Sequence, residues 1–179
     1  RPISTSNKCH QYLKVCSMPQ ISMNSPVGAI TIFEFDGQIV ALDWGFVDEM
    51  ETSPVLEEAK KQLNAYFSGQ LDAFDLPLAP DGTDFQKAVW DAMCKIPKGK
   101  TATYKDLATA AGSPKAFQSV GTACGMNPIP IIIPCHRVLA SGDKPGGYSG
   151  QGGLETKRDL LKIEGVELVI GDDQGSFDL

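Results

Sequence analysis

The pattern of apolar residues changes across Leu76-Pro77-Leu78-Ala79-Pro80-Asp81-Gly82, and this change constrains the fold more than any other feature of the sequence. Before it lie short β-branched and aromatic runs with a single amphipathic segment; after it, helical patterns follow one another. The seven residues are rich in Pro, Asp and Gly and read as a linker. They divide the chain into an N-terminal α/β domain (1–82, with an irregular lead over 1–20), a second domain (83–170) and an acidic tail (171–179). A length of 179 residues suits one medium domain or two small ones.

In the first part, Ala29 to Phe35 and Gln38 to Trp44 flank Asp36-Gly37, the two-residue signal of a tight hairpin. A shorter strand over Gln20 to Met23 is placed to pair with them. Ser53-Pro54 opens a helix, with Ser as N-cap and Pro at the first helical position. Leu56, Ala59, Leu63, Tyr66 and Phe67 give it an apolar stripe, and Gly69 ends it. Strands carrying one amphipathic helix predict a small α+β unit.

The second part opens on Thr83 and Gln86, spaced as a capping box, with Phe85, Val89, Ala92 and Met93 as the apolar stripe. Pro97-Lys98-Gly99-Lys100 is a turn. A short helix over Tyr104 to Ala111, then Gly112, then a helix capped by Ser113-Pro114 and running to about Met126 follow helix-turn-helix grammar. An ordinary helical hairpin is the commoner source of such a pattern. The glycines at 121 and 125 cost the second helix on the order of 1 kcal/mol each relative to alanine, so another helix or a groove wall is expected to approach it closely. Asn127-Pro128-Ile129-Pro130 breaks the period, and Ile131-Ile132-Ile133 predicts a short buried strand. A Gly-rich loop (Gly142 to Gly153) leads to a helix from about Leu154 to Glu164, stopped by Gly165.

The net charge of −6 conceals a split. Lys95 to Ile163 holds ten basic residues against four acidic ones, whereas the rest holds six against eighteen. Such asymmetry points to a polyanion-facing segment, set against the plainer reading of a cluster on a solvated face. No apolar run approaches the roughly 20 residues that span a bilayer. Residues 1–6 lack the apolar block of a secretory signal. Five cysteines at uneven spacings argue against a disulfide framework and for a reducing compartment. The expectation is a protein that is not secreted and has no membrane partner, placed in the cytoplasm (nucleoid-associated) or the nucleus.

Cys135 is the candidate nucleophile. It stands beside His136 and Arg137 at the end of the expected strand, and neighbouring positive charge favours thiolate over a thiol of ordinary pKa about 8.5. Cys94 and Cys124, both on helices, read as buried structural thiols. Cys9-His10 with Cys16 forms half a metal site without a matching second pair, so no metal is assigned. Neighbours in extended backbone point to opposite sides, so His136 reaches the Cys135 sulfur only through a water or a bent backbone. His10 is the only other histidine. A conventional Cys-His hydrolase is therefore disfavoured, and indirect activation is favoured.

The run Ile133-Pro134-Cys135-His136-Arg137-Val138 resembles the active-site signature of the O6-alkylguanine-DNA alkyltransferases. The similarity extends from Thr83 to Gly165, through Val89-Trp90, Thr103-Tyr104, Pro114-Lys115-Ala116, Asn127-Pro128, Gly147-Tyr148-Ser149-Gly150 and Glu164-Gly165. It implies an N-terminal ribonuclease-H-like α/β roll and a mainly helical, winged-helix-like C-terminal domain. It also implies direct-reversal DNA repair. An O6-alkylguanine is flipped out of double-stranded DNA and its alkyl group passes irreversibly to Cys135, once per molecule and without a cofactor. O4-alkylthymine stays open as a second substrate, and a monomer is expected. By the same resemblance His136 polarises Cys135 through a water while Glu164 fixes its tautomer. Tyr104 donates to the purine, Asn127 braces the turn before the active-site strand, and the Val138 carbonyl and Ser149 amide hold the base. Tyr148 walls the pocket, Lys157 closes it, and Arg137 ties the two domains together. Lys115, Ala116, Phe117, Gln118, Ser119 and Gly121 face DNA.

The sequence departs from the family at several of these positions. Gln118 stands where the family usually has an arginine that fills the stack left by the flipped base, and bulky Phe117 where a small residue is favoured. Gly125 replaces a frequent basic residue. Gln151-Gly152 resemble a short insertion that loosens the pocket lid. An alkyl acceptor with weakened DNA affinity is expected. The rivals are a lesion-binding alkyltransferase-like protein, which such relatives achieve by replacing the nucleophile that Cys135 retains here, and a cysteine hydrolase.

Overall fold

A computed structural model of the chain describes residues 18–168; Cys9, His10, Cys16 and the acidic tail lie outside them. Strands β1 (Gln20–Met23), β2 (Ile30–Phe35) and β3 (Gln38–Trp44) form an antiparallel sheet in that order. Asp36 and Gly37 take φ of 51° and 74°, the two positive values that a tight two-residue hairpin requires. Ile21 stands opposite Ile32, and Ile32 opposite Leu42, on the buried face that α1 (Pro54–Phe67) covers. The Ser53 hydroxyl caps α1 by accepting from the Leu56 amide, and Leu56, Ala59, Leu63 and Tyr66 are buried along it. These elements follow the sequence to within a residue.

The linker is tied to β3. The Ile39 amide donates to the Pro77 carbonyl at 2.8 Å and the Ala79 amide to the Ile39 carbonyl at 2.9 Å. Gly82 then lies so close to Trp90 that a Cβ there would stand 2.5 Å from the indole. Helix α2 (Asp84–Cys94) carries the expected capping box of Thr83 and Gln86, and its buried Trp90 donates from Nε1 to the Ala123 carbonyl. Helices α3 (Tyr104–Ala110) and α4 (Phe117–Gly125) pack on one another and on α2. A parallel pair, β4 (Ala102–Thr103) and β5 (Val138–Leu139), and a final helix α5 (Leu154–Ile163) complete the described chain. The two parts meet at β3, where the Leu42 amide donates to the Pro128 carbonyl at 2.9 Å. No described helix is long and apolar enough to cross a membrane.

Three sequence expectations need correction. Helix α4 begins at Phe117 and not at Ser113, because the Ser113 carbonyl accepts from the Ala116 amide in a separate turn and Ala116 is the N-cap. Ile131-Ile132-Ile133 is buried but is not a strand. It lies between Pro130 and Pro134, which have no amide for a ladder, and folds into a tight turn closed by Ile133 N to Ile129 O, with Ile131 at φ 73°. Cys135–Arg137 forms a single 3-10 turn entered through Pro134, whose φ of −83° and ψ of 67° make an inverse γ-turn. Cys135 and His136 therefore do not alternate as strand neighbours.

Candidate active site

Helix α4, the 3-10 turn and the Gly-rich loop enclose a cavity of about 290 Å3, near the lower end of the ~300–1,000 Å3 common for small-molecule sites. Gly121, Cys124 and Gly125 of α4 form one wall, Tyr104 of α3 another, and Gly147, Tyr148 and Ser149 the loop side, with Cys135 among the lining residues. The bare glycines of α4 thus leave room for the cavity. The loop packs its own glycines on the tyrosines. A Cβ at Gly146 would stand 2.7 Å from the Tyr104 hydroxyl, and one at Gly150 would stand 2.4 Å from the Tyr148 ring.

Cys135 is 8 % exposed. Burial pushes its thiol up, and the Asn127 amide and the Lys157 ammonium pull it back toward thiolate. Asn127 also holds the preceding turn, accepting from the Ile129 amide at 3.0 Å and donating to the Ile133 carbonyl at 2.8 Å. Cys124 shares the cavity, but burial pushes its thiol up to about 12 and its Sγ leans on the Met93 sulfur at 3.8 Å. Cys94 is exposed on α2, which corrects the expectation of a buried thiol. Among the described residues no group of three or more His, Cys, Asp or Glu gathers as metal ligands.

Behind Cys135, the fully buried His136 places Nε2 2.7 Å from Glu164 Oε1. A carboxylate only accepts, so Nε2 carries the proton of the neutral ring and Nδ1 is left as an acceptor. Nδ1 is buried without a partner among the described residues. Burial holds His136 below its ordinary pKa against the pull of Glu164, so the ring rests neutral. Burial alone would raise Glu164, but hydrogen bonds from His136, Arg137 and Tyr66 hold it well below the usual carboxylate range.

Arg137 donates from Nε and Nη2 to Glu164 and from Nη1 to the Ile96 carbonyl at 2.6 Å. All these partners lie in the C-terminal half, so the hydrogen bonds of Arg137 do not themselves join the two halves, contrary to expectation. At Glu164 a bond between the halves comes from Tyr66, whose hydroxyl donates to Glu164 Oε1 at 2.7 Å. Its place in the apolar stripe of α1 signalled burial and gave no sign of the polar end.

Lys157 is fully buried, and its Nζ donates to the carbonyls of Val138, Pro145 and Gly147. It holds the loop from behind and is not among the residues lining the cavity. Gln151 and Gly152, expected to loosen the lid, are tied to α5: the Thr156 hydroxyl donates to the Gln151 carbonyl, and the Glu155 amide to Gly152. The Ser149 hydroxyl donates to the Gly125 carbonyl at 2.9 Å, joining loop to α4. At the other end of α4, Lys115, Gln118 and Ser119 are exposed, Phe117 is 42 % exposed and Ala116 caps the helix. Lys105 of α3 sits 5.9 Å from the Phe117 ring.

Residues 84–166 match the family model described as the 6-O-methylguanine DNA methyltransferase DNA-binding domain, and residues 19–80 match its ribonuclease-like domain. The chain is 42% identical over 155 residues to the constitutive methylated-DNA–protein-cysteine methyltransferase of Bacillus subtilis, covering 79% of this chain and 92% of that protein. The chain belongs to the methylated-DNA–protein-cysteine methyltransferase family. A second methyltransferase of that name, from Methanosarcina barkeri, is 55% identical over 117 residues, which is 65% of this chain and 73% of that protein. Among solved structures the chain is similar to Mycobacterium tuberculosis OGT crystallised in complex with DNA, with a TM-score of 0.73 and 38% identity over 82% of this chain and 92% of that one. Within the methyltransferase family the cysteine acceptor must be a thiol that a substrate can reach. Cys135 is among the residues lining the cavity, and its neighbour His136 is hydrogen-bonded to Glu164.

Proposed function

We propose that this protein repairs alkylated DNA by moving the alkyl group of O6-alkylguanine onto Cys135. The observation that carries the reading is that Cys135 lines the cavity of about 290 Å3 while its neighbour in the 3-10 turn, His136, is hydrogen-bonded to Glu164. The Cys135 thiol gives its proton, relayed by a water, to the free Nδ1 of His136, and Glu164 steadies the imidazolium that results. The thiolate then attacks the alkyl carbon in line. The carbon–O6 bond breaks as the carbon–sulfur bond forms, and the guanine leaves as an anion that the Tyr104 hydroxyl stabilises. A thioether is a poor leaving group, so each molecule reacts once.

The residue roles extend the same proposal. Tyr104, Tyr148 and Ser149 line the cavity, and in this reading the two rings wall the base while the Ser149 amide holds its edge; Val138, whose carbonyl already accepts from Lys157, is not among the lining residues. Helices α3 and α4 act as a helix-turn-helix within the domain 83–170, and the exposed tip of α4, with Lys115 and Gln118, meets the DNA backbone and the flipping site. Phe117 serves as an apolar wedge. Residues 1–82 form a separate ribonuclease-like domain, and the protein acts as a monomer.

Incubating the protein with O6-benzylguanine, or with duplex DNA carrying O6-methylguanine, tests the reading by intact mass. One alkyl group per chain, absent in Cys135→Ser, is expected. An unmodified protein that still binds the lesion DNA favours a binding protein, and turnover without lasting mass gain favours a hydrolase; either overturns it.

A further inference from the structure

The buried carboxylate of Glu164 is shared by two halves of the molecule. From the C-terminal half it receives His136 Nε2 at 2.7 Å and Arg137 Nη2 at 2.8 Å, and from α1 of the N-terminal half it receives the Tyr66 hydroxyl at 2.7 Å. All three donors converge on Oε1, the oxygen that His136 itself uses. Tyr66 is 1 % exposed and its ring packs edge-on against Phe67 and tilted against Phe74, each at 5.2 Å, so its hydroxyl is held in place by the N-terminal core. A phenol facing a carboxylate can only donate.

We propose that Tyr66 is a positioning residue for alkyl transfer, through which the N-terminal half sets the basicity of His136 by competing with it for Glu164 Oε1. The inference rests on the transfer reading given above. Every hydrogen bond that Oε1 accepts from Tyr66 draws negative charge away from the imidazole edge. Without the hydroxyl, Glu164 turns its full charge on His136 and favours the imidazolium. A ring that is already protonated cannot take the Cys135 proton, so the loss shows at the acid side of the reaction. The other ionisable groups around the pair are Arg137 and Cys135 on the 3-10 turn, Lys157 on α5, Tyr148 on the loop, and Lys98, whose Nζ lies 5.8 Å from the Tyr66 ring. Replacing Tyr66 by Phe alters none of these and keeps the aromatic packing.

The chain has only two histidines, so the imidazole nitrogens of His136 can be followed by 15N NMR in the full-length protein with His10 as the internal reference. In Tyr66→Phe the His136 titration and the acid limb of the rate of O6-benzylguanine transfer should both move upward by roughly half a pH unit. Incorporating 3,5-difluorotyrosine at position 66, a stronger donor of the same shape, should move both downward. Tyr66→Phe that only lowers the thermal midpoint, leaving both pH midpoints in place or moving them down, overturns the inference. A wild-type protein that takes no benzyl group overturns the transfer reading instead, and the NMR titration still decides whether Tyr66 governs His136.

Discussion

Lys157 Nζ lies 2.6 Å from the Val138 carbonyl and also donates to the Pro145 and Gly147 carbonyls, so one ammonium fastens β5 to the loop that lines the cavity. Replacing it with Met leaves three carbonyls without that donor. Lys157→Met is expected to lower the unfolding free energy by about 1–3 kcal/mol, measured by urea denaturation. Transfer from O6-benzylguanine should slow as the loop loses its fixed position. An unchanged rate would show that the loop is held by other contacts.

Gly150 tests the cavity wall from the other side. A methyl group there meets the Tyr148 ring at 2.4 Å, and the ring has to move to admit it. Gly150→Ala should slow the modification of Cys135 on the order of tenfold, because small displacements of a positioning group are costly to rate. Stopped-flow or timed mass measurement reads this directly. The thermal midpoint should fall little, since Gly150 is not at a positive φ.

The ionisation of the buried chain gives stability a pH dependence of known sign. Glu164 is held below the ordinary carboxylate value of 4.5 by His136, Arg137 and Tyr66 in spite of burial. Between the two values the unfolded chain binds a proton that the folded one does not. Its contribution is therefore complete above about pH 5 and is lost as pH falls through 4.5 and below. Lys157, lowered by burial to about 8 from 10.5, works at the opposite end: the unfolded chain holds the extra proton between these values, so stability rises with pH there. Urea midpoints from pH 3 to 10 should show both slopes, with the acid one reduced in Glu164→Gln.

The exposed tip of α4 carries Gln118 where the family usually has an arginine. Gln118→Arg should tighten binding to duplex DNA by on the order of 1–3 kcal/mol at fixed salt and steepen the salt dependence of Kd. The same Kd for both proteins in a fluorescence anisotropy titration would remove the argument from that departure.

The sequence was most legible where local chemistry decides the backbone. Asp36-Gly37, Ser53-Pro54 and the Thr83/Gln86 box each fix their own turn or cap, and the structure follows them closely. It was least legible between Pro130 and Cys135. Ile131 at φ 73° is a β-branched residue in a region that disfavours it, and only the packing of the surrounding core and the Asn127 bracket hold it there. The resemblance marked Tyr104, Cys135, Tyr148 and Ser149, which line the cavity, but put Gly121 toward DNA and Val138 and Lys157 at the substrate, and it gave no sign of the partners behind. Tyr66 and the Ile96 carbonyl are brought to Glu164 and Arg137 across distances in sequence that no spacing records.

Helix α4 spans nine residues, from the solvent-facing Phe117 and Gln118 to Cys124 and Gly125 in the cavity wall. At a rise of 1.5 Å per residue the helix is about 13 Å long, so the exposed end and the cavity wall belong to one short element. A substitution at one end of it therefore alters the same helix that shapes the chamber at the other.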